Sequence, residues 1–179
     1  MFLFLLLAHV LFAAMIIDGS EHSDTVHQLP FKSITSDGMT VEWRVDGGML
    51  HCQMTAPTQG WVAVGFNTKD QLMNTNLIMG CVEHGAVRVS DRFIVAPGVH
   101  KAIAELNGTE ELSHVQGTEH SLEGRIHTTI SFSMPLRAHD THHHQILTQG
   151  QRYTLLMAYS VEDDFQHHSI MRTSVSITL

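Results

Sequence analysis

"MTVEWRVDGGMLHCQMTA", residues 39–56, decides how this chain folds. Residues 39–45 alternate apolar with polar, residues 49–56 continue as a second extended run, and Asp46-Gly47-Gly48 lies between them. Alternation with a period of two buries one face of a strand, and a glycine pair supplies the positive φ angles of a tight hairpin turn. Working outward, "APTQG" breaks the chain before "WVAVGF" (61–66), followed by "NLIMGCVEHG" (76–85) and "AVRVSDRFIV" (86–95), with a turn at Glu83-His84-Gly85. Further strands are expected at "RIHTTISFSM" (125–134), "RYTLLMAYS" (152–160) and "RTSVSITL" (172–179). No stretch of ten or more residues keeps helical i, i+3, i+4 apolar spacing. At least eight short strands with frequent turns predict an all-β fold, an antiparallel β-sandwich of immunoglobulin-like architecture. Three stretches stand outside this ladder as loops: 67–75, the loose connection 96–120, and 136–151. Long loops on a rigid sandwich are where binding residues tend to sit.

The 179 residues make one domain, large enough to bury a core without staples. A net charge of −8 argues against nucleic acid as a partner and suits a basic protein partner or plain solubility. Residues 1–17, "MFLFLLLAHVLFAAMII", are apolar apart from His9, a length that suits a secretory signal and is short for a spanning helix. No Lys or Arg precedes that run, so an uncleaved anchor is the rival reading. The expected organisation is a signal or anchor over 1–17, an extension over 18–34 and one domain over 35–179. The expected location is secreted, periplasmic or extracellular, with a membrane tether if the first segment stays attached. Cys52 and Cys81 are the only cysteines, so C-x-x-C motifs and covalent c-type haem attachment are excluded. The residues leave open whether the two bridge or stay as buried thiols.

The outliers in composition are 15 histidines and 10 methionines, side chains that are soft or borderline metal ligands. Met73 stands in a polar loop just before an apolar strand, where packing gives it little reason to be. The adjacent pair His167-His168 stands in "DDFQHHSIMR" (163–172), before the last strand. A thioether and an imidazole on two such loops can close on one ion from two sides. Met/His coordination holds a haem iron and raises its potential. Blue copper also wants a cysteine near the C-terminal His and Met, and both cysteines lie far upstream. Met79, four residues into an apolar strand, and Trp61 read as core. Asp91 suits a structural hydrogen bond, and Asp163 and Asp164 suit capping of the loop ahead of the histidines. His139 and His142 to His144 read as a polar loop with incidental metal affinity, and "NGT" at 107–109 as a glycosylation acceptor in a suitable host. No nucleophile triad, phosphate-binding glycine loop or paired-carboxylate motif is present.

Two blocks, "GWVAVGFNTKDQLMNTNLIMGCVEHGAVRVSDRF" and "LLMAYSVEDDFQHHSIMRTSVSITL", resemble the DOMON domain over roughly residues 35–179. The first carries the family's "GW-x-AVGF", a following Met, and "V-x-D". The closest resemblance in pattern is to haem-binding members, the cytochrome domain of cellobiose dehydrogenase and the haem subunit of ethylbenzene-dehydrogenase-type enzymes. The resemblance implies a β-sandwich binding one non-covalent haem b, its iron held by Met73 and His168, with His167 the neighbouring alternative. Strand parity puts Met171, Val175, Ile177 and Leu179 on one face and Arg172 on the other with His168, placing Arg172 to meet a haem propionate. Two protein ligands leave the iron no open position, so the implied role is electron transfer rather than catalysis. The implied partner is a redox protein or a membrane cytochrome. Two other expectations stand beside this one: a DOMON module recognising sugars without haem, and, further off, a copper-binding protein using the His-rich loop.

Overall fold

The computed structural model describes residues 29–179, so the apolar leader and most of the 18–34 extension lie outside the described residues. Eleven strands follow in order: β1 (Lys32–Ser36), β2 (Met39–Asp46), β3 (Met49–Ala56), β4 (Val62–Asn67), β5 (Asn76–Glu83), β6 (Ala86–Ala96), β7 (Val99–Ala102), β8 (Ser113–Leu122), β9 (Arg125–Pro135), β10 (Arg152–Tyr159) and β11 (Met171–Thr178). They form a five-stranded sheet ordered β1-β2-β3-β9-β8 and a six-stranded sheet ordered β11-β10-β4-β5-β6-β7. Every pairing is antiparallel. The chain is the all-β sandwich that the alternation and the turns predict.

The opening hairpin forms as its sequence dictates. Gly47 and Gly48 take φ of 55° and 79°, and β2 pairs with β3 in register from Asp46↔Met49 to Thr40↔Thr55. His84 and Gly85 repeat the device between β5 and β6, with φ of 52° and 80°. Two residues of positive φ match the twist of the strands they join. Between the sheets lies the main core, built from Val41, Leu50, Met54, Val64, Phe66, Ile78, Ile130, Phe132, Leu155 and Met157, all essentially without solvent contact.

Two strands lie where a loose connection over 96–120 is expected. β7 is only four residues long, and β8 is exposed along almost all of both faces. An edge strand with neither face buried needs no apolar alternation, and alternation was the signal in use. A register shift between Ser113 and Gln116 further blurs its pattern. β1 also begins just ahead of residue 35. The cysteines are free thiols. Cys52 belongs to the core between the sheets, whereas Cys81 belongs to a second apolar cluster on the far side of the six-stranded sheet.

The 136–151 loop is built into the fold. His144 Nε2 lies 2.7 Å from Asp91 Oδ2, with both side chains 1% exposed, and its Nδ1 lies 2.9 Å from the Asp140 carbonyl. Asn76 Nδ2 donates to the other Asp91 oxygen at 2.5 Å. Two acceptors facing the two ring nitrogens call for a ring protonated at both, so the pair is an imidazolium on a carboxylate. Asp91 thus has the structural hydrogen-bonding role its motif suggests. Around it, Asp140 accepts from the His142 amide at 3.0 Å and pairs with His143 at 2.7 Å, and Glu111 gathers the amides of His139 and Asp140. Among the described residues no group of three or more His, Cys, Asp or Glu side chains is arranged to hold a metal ion.

Burial lowers the proton affinity of His144, but the hydrogen bond and charge of Asp91, with help from Asp140, more than offset this and hold it above 6.5. The folded chain therefore binds this proton more tightly than the unfolded chain does. That stabilisation is complete below about pH 6.5 and fades as pH rises through the folded value. His144→Ala, which strands Asp91, should cost about 3–5 kcal/mol at pH 6. Urea unfolding at pH 6 and pH 9 should show the gap to wild type narrowing at the higher pH. An equal gap at both would mean the pair carries no charge.

Candidate functional site

A sheet at the surface of a sandwich ordinarily turns polar side chains outward, yet β4 is buried at all six positions. Its inward residues Val62, Val64 and Phe66 join the main core. On the other face, Ala63 and the preceding Trp61 join Met79, Cys81 and Phe165 in a second apolar cluster, with Leu77 and Ala158 packed against it. Register explains the grouping. Ala63 is the partner of both Ala158 on β10 and Met79 on β5, so small side chains occupy the middle of the row and larger ones its flanks. The result is an open groove of about 800 Å³ including the solvent at its mouth. Its floor is Trp61, Ala63, Leu77, Met79, Leu156 and Ala158. Its walls include Leu72, the β6–β7 hairpin at Gly98, Val99 and His100, the segment Gln166–Ser169, and Arg172.

The 160–170 loop covers one side of this groove and is fastened at its base. Trp61 and the loop exchange main-chain bonds: Trp61 N donates to Glu162 O at 3.0 Å, and Ser160 N to Trp61 O at 2.9 Å. Gly60 is required here because any Cβ would overlap the main chain of Val161 and Glu162. The Gly-Trp pair therefore serves two ends, close approach by the loop and an apolar floor. Within the loop, Asp164 accepts the Gln166 amide on its side chain and the His167 amide on its carbonyl, both at 2.9 Å. Ser160 Oγ donates to the His168 carbonyl at 3.0 Å. The capping expected of the acidic pair thus falls to Asp164. Asp163 instead accepts Arg88 on its carbonyl, and burial followed by the charge of Glu83 raises its carboxyl above the ordinary range.

The opposite wall is organised by the buried side chain of Asn67. Its amide nitrogen reaches the carbonyls of Gln71 and Met73 at 3.1 and 3.3 Å and Thr75 Oγ1 at 2.7 Å, while its oxygen accepts the Lys69 amide. Asn74 and Thr75 then bond to Ile94 on β6. Met73 is half-buried on this loop, and its neighbour Leu72 is the residue that lines the groove.

Four residues were expected at the site. His167, His168 and Arg172 line one groove; Met73 sits one residue away from its wall. Both imidazoles are exposed, so their positions alone do not choose between them. Arg172 pairs across the strands with Ala158, on the groove face, while Ile177 and Leu179 turn inward as parity requires. Trp61 and Met79 are buried, but in the groove floor rather than between the sheets. The indole nitrogen of Trp61 is buried without a hydrogen-bond partner. Sequence reasoning passed over Asn67, Arg88, Arg92, His100 and Phe165. Only the unbroken apolar run "WVAVGF", one residue type too uniform for a half-exposed strand, signals that the outer face is covered.

These features define a β-sandwich with an apolar groove on the solvent side of its larger sheet, closed by loops from two strand ends. The sequence pattern of the DOMON domain matches residues 35–160, and the chain belongs to that family. No curated protein matches the chain. Two solved structures share its fold, each at 12% identity and with coverage of 83% of this chain and 81% of the other. They are the cytochrome b domain of pyranose dehydrogenase from Coprinopsis cinerea, with a TM-score of 0.59, and the cytochrome domain of Myriococcum thermophilum cellobiose dehydrogenase, with a TM-score of 0.53.

Gly60→Ala tests the loop base. The methyl group has no room, so a loss of about 1–3 kcal/mol is expected in urea unfolding. Amide exchange should accelerate in 160–170 and stay unchanged in the β2–β3 hairpin. A neutral substitution would show that the loop does not rest on Gly60.

Proposed function

We propose that the groove holds one non-covalent haem b and that the protein is an electron-transfer domain. The observation that carries this reading is the groove itself: a solvent-side sheet face paved with apolar side chains, with both imidazoles of the His pair in one wall. The residues present suit a large apolar ring with ionised edges. Small side chains at Ala63 and Ala158 leave room for a flat plate, and the buried Trp61 N–H lacks an acceptor. Arg172 stands at the rim, where a carboxylate would gain a charge-assisted partner. Two solved structures of like fold are cytochrome domains by name. Haem, when bound, supplies a reversible one-electron couple.

In this reading His168 would hold the iron through an imidazole nitrogen, on the 160–170 loop whose turn at Asp164 and bond from Ser160 fix the main chain around it. Met73, one residue from the groove wall on the loop held through Asn67, would supply the second ligand. Two protein ligands would leave the iron no position for substrate, so the chemistry supplied is electron transfer. Among the described residues no helix is long and apolar enough to cross a membrane. Export through residues 1–17, and a redox partner bearing a basic face to meet the net charge of −8, belong to the same proposal.

A second reading draws on Met73 standing outside the groove lining. Trp61 with Gln166, Ser169 and Arg172 around an open groove is also a surface for a sugar ring, and the protein is then a recognition module.

Visible spectra of protein produced with haem available separate the two. Sharp, split bands after dithionite, unchanged by carbon monoxide, are expected; a folded, colourless chain that takes up no added haem removes the electron-transfer reading. His168→Ala should weaken haem uptake by more than about a hundredfold, beyond the loss of an outer partner. His167→Ala should retain it, and the reverse result reassigns the ligand. Met73→Ala should keep haem, lower its potential and admit carbon monoxide, whereas the same change from Met79→Ala would transfer the thioether role to the floor.

A further inference from the structure

Phe165 lies three residues ahead of His168 and is 7% exposed, turned down into the groove-side cluster. Two arginines of β6 converge on its ring. The guanidinium carbon of Arg88 is 4.5 Å from the ring centroid and that of Arg92 is 5.9 Å away. Both belong to the face of β6 that carries the groove, being register partners of Cys81 and Leu77. Arg88 also donates to the Asp163 carbonyl, at the start of the same segment.

Arg92 is the less ordinary of the two. An arginine 7% exposed beside an apolar floor requires partners for its N–H groups. Nη1 donates to Ser90 Oγ at 3.2 Å, and Nε donates to His100 Nδ1 at 2.7 Å. An arginine cannot accept, so Nδ1 of His100 must carry the lone pair and its proton resides on Nε2. The Nε2–H side of the ring faces the backbone of Phe165. Burial, and after it the Arg92 charge, depresses the proton affinity of His100 and keeps the ring in this neutral form. A neutral imidazole in that one tautomer lies between a buried cation on the sheet and the backbone of the loop.

We propose that Arg88, Arg92 and His100 form a clamp on Phe165 that sets the height and angle of the 160–170 loop, making them positioning residues for the histidine pair. The clamp itself is a property of the chain without haem; its effect on iron rests on the haem reading above.

The test uses the full chain in both states. Amide exchange is first followed by mass spectrometry on haem-free wild type, His100→Ala, His100→Gln and Phe165→Leu. Glutamine offers the same acceptor and donor as the neutral ring, and leucine keeps the apolar volume while removing the π-face. Exchange in 163–170, which includes the His167 amide bonded to Asp164, should quicken about tenfold or more in His100→Ala and Phe165→Leu. It should return toward wild type in His100→Gln, with the β2–β3 hairpin unchanged throughout. In haem-loaded samples, the same two variants should bind carbon monoxide that wild type excludes and shift in midpoint potential, with glutamine restoring both.

Unchanged exchange in both variants overturns the clamp even if wild type takes up haem. Faster exchange in a chain that takes up no haem upholds the clamp and removes the haem reading alone. Should His100→Ala fail to fold, Phe165→Leu against wild type decides the question.

Discussion

The structure depends on one sheet being apolar on both faces. The six-stranded sheet must cover Val62, Val64 and Phe66 with the second sheet, and must also shield Trp61, Ala63 and Met79 on the opposite side. The first requirement makes the sandwich. The second obliges the segments at the strand ends to fold back over the sheet, since exposed apolar area of that extent is costly in water. The 160–170 loop meets it partly, through Phe165, and leaves a groove where its coverage stops. Site and fold therefore have one cause.

Much of this was legible in the residues. Turns announced by Asp46-Gly47-Gly48 and Glu83-His84-Gly85 gave the hairpins, and alternation gave the inward faces of β2 and β11. β7 and β8 were missed because strands at sheet margins take their stability from neighbours' main-chain bonds and keep polar residues on both faces. Nothing local marks them. The buried His144–Asp91 pair was hidden for a related reason: 53 residues separate its members, and a histidine run reads as a polar loop until the partner carboxylate is known.

At the site, the positions nearest a strand were the readable ones. Arg172 follows the parity of β11, and parity is a geometric rule. Met73 and the His167-His168 pair stood out from the residues, resemblance chose His168, and the structure puts the histidines but not Met73 on the groove wall. Asn67 escaped notice because it acts on main-chain carbonyls, and His100 and Phe165 because their partners lie on another strand, β6. A side chain that holds backbone leaves no pattern of chemically paired residues for a reader of sequence to find.

The pairing of β4 with β10 joins residues 62–67 to 154–159, and both walls of the groove hang from that seam. Such a distant pairing belongs to the late, slow part of folding. While the chain is still emerging from the ribosome, β4 has no partner on that side, and Trp61 and Ala63 face no loop. The groove thus comes into being after translation has passed β10. Whatever occupies it can be held only once residues 154–159 have been made and have paired with β4.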